Sequence, residues 1–194
     1  SADPETQSAL LNRAVVAAER METLVRAARN QVRAQTEPQE FSVADEIEQA
    51  TELLAYKARK ADVHFNLEDV ENIRVVGNPY AFNRTVCNLI ANAIEAYNNP
   101  LADESRIVRV KTTTDNDRVL VTVEDRGVGI PPELMSRIFE PLVTTKGNAG
   151  GSGMGLATAK NLVEREFAGD IQVESTLGEG SRFTIQFPIK RRSV

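Results

Sequence analysis

The sequence contains no tryptophan, a single cysteine and a single histidine, and only 5% of its 194 residues are aromatic. With one cysteine, Cys87, no disulfide can form within the chain, which is typical of proteins in a reducing compartment. Cys87 stands in an apolar helical pattern, so we interpret it as buried packing and not as a nucleophile. Because aromatic side chains are few, the core must be mainly aliphatic, and the 41% hydrophobic content is enough to form one.

Positive charge and long apolar runs are also scarce. The formal net charge is −5 at pH 7, which argues against a nucleic-acid-binding protein because such proteins usually present a basic surface. No apolar stretch reaches the length of a membrane span and no signal peptide is present, so we expect a cytoplasmic protein. The sequence begins with Ser1 and not with methionine. We therefore expect a longer parent protein, and a membrane anchor upstream of Ser1 stays open.

Residues 1–37 predict a first domain made of one long helix. After Pro4 neither proline nor glycine occurs until Pro38, and apolar residues recur at alternating spacings of three and four. This seam consists of Leu11, Ala14, Ala18, Met21, Val25, Ala28 and Val32. A seam of this kind needs a partner surface, so we interpret it as part of a dimerisation bundle. Packing on the domain that follows is the alternative.

Residues 38–194 predict an α+β domain that begins after a polar break, a hinge, at 36–40. Helical patterns cover 43–60, 79–97 and 154–167, with Ser42 and Asn78 as caps of the first two. Strand patterns cover 63–67, 73–76, 106–114, 118–124, 170–175 and 181–188. Because helices and antiparallel strands are segregated along the chain, we expect a two-layer sandwich, with helices on one face of a mixed, mostly antiparallel sheet.

Two asparagines stand on one face of the predicted helix 79–97. Asn88, Asn92 and Glu95 share this face, while the opposite, core-facing stripe consists of Phe82, Val86, Leu89, Ala93 and Tyr97. A polar stripe is usually just the wet side of a helix, but asparagine is a poor residue inside a helix. An amide oxygen is a suitable ligand for Mg²⁺, which takes few ligands from proteins. The pair is therefore a candidate metal site.

A carboxylate followed by glycines ends the predicted strand 118–124. Asp125 comes directly after the strand, and Gly127 and Gly129 allow a sharp turn and a close approach to a ligand. A carboxylate can accept hydrogens from the amino group of adenine, whereas it would reject guanine, which presents a carbonyl oxygen there. A plain turn is the alternative interpretation.

The segment 150–156 contains four glycines within six residues and leads directly into the predicted helix 154–167. Helix N-termini present unpaired N–H groups to anions, and glycines let a polyphosphate come close. The segment is neither a Walker A loop nor a dinucleotide fingerprint, because no Gly-Lys-Ser/Thr follows and no parallel βαβ unit surrounds it. A flexible linker is the alternative, but linkers do not open into amphipathic helices.

Together these features resemble the ATP-binding catalytic domain of sensor histidine kinases, a Bergerat-type ATP-binding fold that gyrase and MutL share more distantly. Five motifs of that domain follow one another in order: NLIANAIEA at 88–96, DRGVG at 125–129, FEPLVTTK at 139–146, GSGMGL at 151–156 and GEGSRF at 178–183. One such motif would be weakly specific, but five in the family's order are highly specific. The resemblance covers roughly residues 42–189.

The resemblance implies ATP and Mg²⁺ as cofactors. Asn92 would hold the Mg²⁺ ion that bridges the phosphates, with Asn88 beside it, and these two would be the catalytic residues. Asp125 would bind the adenine amino group, and residues 131–152 would form a mobile lid. The other residues that the resemblance implies in nucleotide binding are Gly127, Gly129, Ile130, Thr145, Lys146, Gly151, Ser152, Gly153, Met154, Gly155, Leu156 and Ser181.

The resemblance also bears on whether phosphoryl groups go to a partner or to water. Hydrolysing relatives carry a glutamate, the general base for water, one turn before the Mg²⁺-binding asparagine, and here Asn88 occupies that position. Because an amide cannot accept a proton at neutral pH, Asn88 favours transfer to a partner group. Glu95 lies one turn on the other side of Asn92 and could compensate. Glu95 also departs from the basic or aromatic residues that many kinases of the family carry just after this asparagine.

The sequence lacks the phosphoacceptor histidine that a histidine kinase needs. The single histidine, His64, lies in a predicted strand with no acidic residue directly after it, and we interpret it as structural. We therefore expect the chain to bind Mg-ATP without phosphorylating itself. For the parent protein the resemblance implies a homodimer through the N-terminal helix, a phosphoacceptor hairpin of which that helix is the second half, and a response-regulator receiver domain as partner.

Three alternatives stay open. The first is an ATP hydrolase or clamp of the gyrase–MutL class, which would turn over ATP without an acceptor. The second is a kinase of the anti-sigma-factor type, directed at a serine of another protein, which fits the long N-terminal helix less well. The third is a binding module with an inactive nucleotide site, against which the retention of Asn92, Asp125 and the glycines argues.

Overall fold

The computed structural model describes residues 37–97, 106–144 and 153–189, and the predicted N-terminal helix lies outside them. Within these ranges the chain forms seven strands and four helices. In chain order they are β1 (Gln39–Ser42), α1 (Val43–Lys60), β2 (His64–Asp69), β3 (Arg74–Gly77), α2 (Pro79–Glu95), β4 (Ile107–Asp115), β5 (Arg118–Asp125), α3 (Pro132–Met135), α4 (Gly155–Phe167), β6 (Asp170–Thr176) and β7 (Gly180–Pro188).

Five of the strands form one sheet in the order β2-β4-β5-β7-β6. The pair β2–β4 is parallel, and the other three neighbouring pairs are antiparallel. Strands β1 and β3 form a separate antiparallel pair. The predicted α+β class with a mixed, mostly antiparallel sheet is therefore confirmed.

The two faces of the main sheet differ in polarity. Arg109, Glu124, Arg182 and Glu174 lie side by side across β4, β5, β7 and β6, and Arg182 forms ion pairs with Glu124 and Glu174 at 3.0 and 3.2 Å. Their exposure means that these pairs add little to stability. The alternating residues of the same strands are buried: Val108, Val110, Val121, Val123, Phe183, Ile185 and Ile171. The helices thus cover one face only, as predicted.

The polar break predicted as a hinge at 36–40 is in part a strand. Gln39–Ser42 pairs with Arg74–Gly77, and Phe41 is buried there. The strand was not predicted because its pairing partner lies more than thirty residues further along the chain, so no local pattern reveals it. The hinge itself stays a prediction. Cys87, predicted as buried packing, is only half-buried, and its thiol lies 3.5 Å from the side-chain oxygen of Asn83.

Side-chain caps fix where the first two long helices begin. The hydroxyl of Ser42 accepts a hydrogen bond from the backbone of Asp45 at 3.1 Å, and α1 starts directly after it. The side chain of Asn78 accepts from the backbone of Ala81 at 3.1 Å, and Pro79 occupies the first helical position of α2. Both caps were predicted, and they fix the first residues of α1 and α2.

The core is mainly aliphatic, as predicted, but phenylalanines form a cluster at one end of it. The ring of Phe82, on α2, lies with its centroid 5.5 Å from Phe41, 6.2 Å from Phe167 and 6.0 Å from Phe187. Phe82 thereby joins β1, α2, α4 and β7. Tilted and edge-to-face pairs of this kind add to the stabilisation from burial.

We predict that Phe82→Ala lowers the free energy of unfolding by about 3–5 kcal/mol, because it removes a ring buried among three others. Guanidinium unfolding followed by circular dichroism measures the change. The control is Tyr80→Ala in the same helix, whose side chain is 53% exposed and whose loss should change stability by no more than about 0.5 kcal/mol. Equal effects of the two substitutions would contradict the role assigned to the cluster.

Candidate functional site

A cavity of about 290 Å³ lies between α2, the adjoining ends of β5 and β7, and the start of α4. Its size is near the lower end of the range for small-molecule sites. The structure brings nine of the predicted site residues to its wall: Asn88, Asn92, Asp125, Gly129, Ile130, Gly153, Gly155, Leu156 and Ser181. Residues from four separate stretches of sequence thus meet at one place.

The remaining predicted site residues divide into two groups. Thr145, Lys146, Gly151 and Ser152 lie outside the described residues. Gly127 and Met154 are described but do not line the cavity. Met154 directly precedes α4 with its side chain 48% exposed. Gly127 packs against α2, where an added Cβ would lie 2.7 Å from the carbonyl oxygen of Ala96.

The apolar walls of the cavity were missed at the sequence level. Besides the predicted residues, the lining includes Ala91, Glu95, Ala96, Val128, Leu134, Ile138, Val143, Thr144 and Phe183. In a sequence, aliphatic residues such as Leu134 and Ile138 form the same apolar pattern whether they face the core or a ligand. The spacing of four between these two, within a segment rich in proline, was the one available hint.

Asp125 lies at one end of the cavity, at the last position of β5 and opposite Ser181 of β7. Only 4% of its surface is exposed. Burial raises the pKa of this carboxyl from 3.8 to about 6, and the nearby charge of Glu124 raises it as well. The backbone N–H groups of Gly127 and Ser181 donate to the carboxylate and act in the opposite direction. The carboxyl is therefore mostly ionised at neutral pH, and its oxygens can accept hydrogen bonds from a group bound in the cavity.

The backbone after Asp125 is held against the turn between β6 and β7. Gly129 has a φ of +67°, and a Cβ there would lie 2.1 Å from the carbonyl oxygen of Thr176. The backbone of Ile130 donates to the hydroxyl of Ser175 at 2.9 Å, and Gly178 donates to the carbonyl of Val128 at 2.8 Å. A side chain at position 129 would therefore displace this wall of the cavity, and glycine is required there.

The opposite end of the cavity combines amide oxygens with a helix N-terminus. Asn88 and Asn92 line this end from α2, and a Cβ at Gly155 would lie 3.8 Å from the side-chain oxygen of Asn88. Within the part of the chain that the structure describes, no side-chain hydrogen bond caps α4, which begins at Gly155. The first N–H groups of such a helix favour anions, through their hydrogens and the helix dipole.

Carboxylates at the cavity wall are few. Glu95 lies one turn beyond Asn92 and forms an ion pair with Lys57 of α1. In the described part of the chain no three histidine, cysteine, aspartate or glutamate side chains come together as a metal-binding group.

His64 lies outside this site. It is the first residue of the edge strand β2, its side chain is exposed, and its backbone donates to the carbonyl of Arg106 at 2.8 Å. This agrees with its interpretation as a structural residue.

Two segments next to the site add to its description. Residues 131–144, the described part of the predicted lid, contain the short helix α3. The backbone of Leu142 in this segment donates to the carbonyl of Gly153 at 3.0 Å.

The helices in the described ranges are too short or too polar to cross a bilayer.

Comparison with known proteins gives a family match over more than half of the chain. Residues 77–191 match the family described as histidine kinase-, DNA gyrase B-, and HSP90-like ATPase. This range contains every residue that was described above as lining the cavity.

Individual relatives show which members of this family the chain is similar to. The sensor histidine kinase ZraS of Salmonella typhi is 32% identical over 155 residues, which are 79% of this chain and 32% of ZraS. Sporulation kinase E of Bacillus subtilis is 30% identical over 143 residues, 73% of this chain and 18% of that kinase. This chain thus spans about a third or less of the length of these relatives.

A solved structure matches almost over its whole length. The nucleotide-free catalytic domain of histidine kinase ThkA is 30% identical with a TM-score of 0.66, and the alignment covers 79% of this chain and 96% of ThkA's. The chain therefore belongs to the histidine kinase-, DNA gyrase B-, and HSP90-like ATPase family and is an ATP-binding catalytic domain of the sensor histidine kinase type.

Proposed function

We propose that this domain binds ATP together with Mg²⁺ and, within its parent protein, transfers the γ-phosphoryl group to a histidine on a dimerisation hairpin. One observation carries the proposal. A single cavity has a buried carboxylate, Asp125, at one end, and two asparagines beside the uncapped N-terminus of α4 at the other. These ends match the chemistry of a base and of a polyphosphate.

At the first end, adenine is the base that Asp125 suits. The ionised carboxylate accepts hydrogens from the exocyclic amino group, and the apolar walls around Ile130 and Phe183 contact the faces of the ring. A base with a carbonyl oxygen at that position would place two acceptors against each other in a site that excludes water, which is costly. Ser181 helps indirectly, because its backbone N–H holds the carboxylate.

At the second end, the phosphates would approach the start of α4, and Asn92 would be the protein's ligand to the Mg²⁺ ion. The bound ion would offset phosphate charge and align the γ-phosphoryl group. Asn88, beside Gly155, would donate its amide hydrogens to a phosphate oxygen. In this proposal Thr145, Lys146, Gly151, Ser152, Gly153, Met154, Gly155 and Leu156 belong to the phosphate-binding segment, and Gly127 and Gly129 shape the base-binding end.

The same geometry favours transfer to a partner over hydrolysis. The position one turn before Asn92 is Asn88, whose amide cannot remove a proton from water. Glu95, the remaining carboxylate near Asn92 on the described wall, is occupied by the ammonium group of Lys57. An ATP hydrolase or clamp of the gyrase–MutL class is therefore the weaker alternative.

The parent protein supplies what this chain lacks. Because the chain spans about a third of the length of ZraS, the activity of the whole protein, its location and its partners are part of the proposal. We propose a cytoplasmic catalytic domain in a homodimer formed through the N-terminal helix, with a response-regulator receiver domain accepting the phosphoryl group from the histidine.

We predict that calorimetric titration detects ATP binding in the presence of Mg²⁺ and that Asp125→Asn weakens it by about 100-fold, since the amide presents hydrogens to the adenine amino group. The control is Asp115→Asn, an exposed carboxylate on the adjoining strand β4, which should leave affinity unchanged. Removal of Mg²⁺ with EDTA should also weaken binding. Absence of Mg²⁺-dependent ATP binding to the wild-type domain would refute the proposal.

We predict that ATP affinity falls as the pH drops below 6, because only the ionised Asp125, with its pKa of about 6, accepts from adenine. At pH 5 the affinity should be about tenfold lower than at pH 7.5. Inorganic tripolyphosphate, which titrates in the same range but has no base, serves as the control for phosphate protonation. An identical pH dependence for both ligands would show that Asp125 does not contact the base.

We predict that the isolated chain incubated with radiolabelled Mg-ATP acquires no acid-labile phosphate, because its one histidine, His64, lies on the edge strand away from the cavity. Phosphoimidazole is labile to acid, so gel autoradiography before and after acid treatment measures it. Phosphate release should also stay close to the rate in buffer. Rapid release would favour the hydrolase alternative, and an acid-labile label that is lost in His64→Ala would contradict the assignment of His64.

A further inference from the structure

The C-terminal end of α2 holds the turn that follows Asp125 by direct hydrogen bonds. Three successive backbone N–H groups of that turn are each satisfied by a different acceptor. Arg126 donates to the hydroxyl oxygen of Tyr97 at 2.7 Å, Gly127 donates to the carboxylate of Asp125 at 2.8 Å, and Val128 donates to the carbonyl of Ala96 at 3.1 Å. Two of the three acceptors therefore come from the end of α2.

Tyr97 is fully buried, and its hydroxyl both accepts and donates a hydrogen bond. It accepts from Arg126 and donates to the carbonyl oxygen of Ile107 on β4 at 2.7 Å. A phenylalanine would fill the same space without the cost of burying a hydroxyl. The hydroxyl thus links α2, β4 and the end of β5 at one point, although Tyr97 is not among the residues that line the cavity.

We propose that Tyr97 is a positioning residue for base recognition, whose hydroxyl fixes the backbone of residues 125–127 so that the Asp125 carboxylate points at the amino group of adenine. This inference rests on the proposed ATP-binding function. The carboxylate accepts from the backbone N–H groups of Gly127 and Ser181, so its direction depends on where the backbone on both sides of it is held. The strand pairing with Ser181 holds one side, and the Arg126–Tyr97 hydrogen bond holds the other.

A structural role and a positioning role of Tyr97 predict different effects of removing its hydroxyl. Tyr97→Phe removes the hydroxyl that pairs with the backbone N–H of Arg126 and the carbonyl of Ile107. A purely structural tyrosine would then lower the affinity for every nucleotide by the same factor, since only the folded fraction would change. A positioning tyrosine lowers the preference for adenine over a base that lacks the amino group.

The test compares ATP with inosine triphosphate, which differs at the contacted position by having a carbonyl in place of the amino group. Both affinities are measured by calorimetry for the wild type and for Tyr97→Phe. We expect the ratio of the ATP affinity to the inosine triphosphate affinity to fall by about five- to tenfold in the variant, the size of one hydrogen bond's net contribution.

A matched control removes a comparable hydroxyl elsewhere. Thr112 of β4 is buried, and its hydroxyl accepts from the backbone of Glu71 at 2.6 Å, away from the cavity. Thr112→Val should reduce stability in a thermal unfolding experiment yet leave the nucleotide preference unchanged. A preference that is unaltered in Tyr97→Phe, or altered equally in both variants, overturns the inference. Failure of the wild type to bind ATP overturns the proposed function itself, and the two failures are therefore distinguishable.

A second measurement keeps the wild-type sequence and covers the case in which Tyr97→Phe does not fold. The chain has three tyrosines, of which Tyr56 and Tyr80 are exposed. Biosynthetic 3-fluorotyrosine gives three ¹⁹F signals, and Tyr56→Phe and Tyr80→Phe assign two of them. We expect the Tyr97 signal to shift on saturation with ATP and to shift less with inosine triphosphate. An unchanged Tyr97 signal at ATP saturation contradicts the coupling.

Discussion

Burial of one carboxylate is the constraint on which the rest of this site depends. Asp125 is 4% exposed, and desolvation raises its pKa to about 6. Because the pKa in the folded state lies above the ordinary value of 3.8, the folded protein binds this proton more tightly than the unfolded chain does. Stability therefore falls as the pH rises from about 4 to 6, and the full cost, about 3 kcal/mol, is present above pH 6. A fold that accepts such a cost must fix the carboxylate firmly.

Among the described residues, backbone groups and not a counter-charge hold the carboxylate. Two backbone N–H groups donate to the carboxylate, one from the turn that follows it and one from Ser181 on the paired strand. An arginine or lysine would have lowered the pKa further, but it would also have occupied the oxygens that a ligand needs. Backbone donors leave part of the carboxylate available and tie its direction to the rigid frame of β5, β7 and the end of α2.

Features that depend on adjacent residues could be predicted from the sequence. The caps at Ser42 and Asn78 are of this kind, and so are the alternating patterns of β4 and β5 and the two faces of α2. Features that depend on a distant partner could not be predicted. Strand β1 exists only because β3 pairs with it. The contact between Gly127 and Ala96 is likewise set by tertiary packing, which no pattern in the adjacent residues reveals.

The polar residues of the cavity also favour transfer of a bound nucleotide's phosphoryl group to a partner over its transfer to water. The two carboxylates on the described part of the cavity wall are Asp125, which in the proposed function binds the base, and Glu95, which is paired with Lys57. In the proposed function Asn88 lies at the phosphate end, where its amide can orient a phosphate oxygen but cannot activate water. Such a wall would bind and align a phosphoryl donor, and the nucleophile would come from outside the domain. The separation of phosphoryl donor and acceptor in the proposed function thus follows from the side chains along one face of α2.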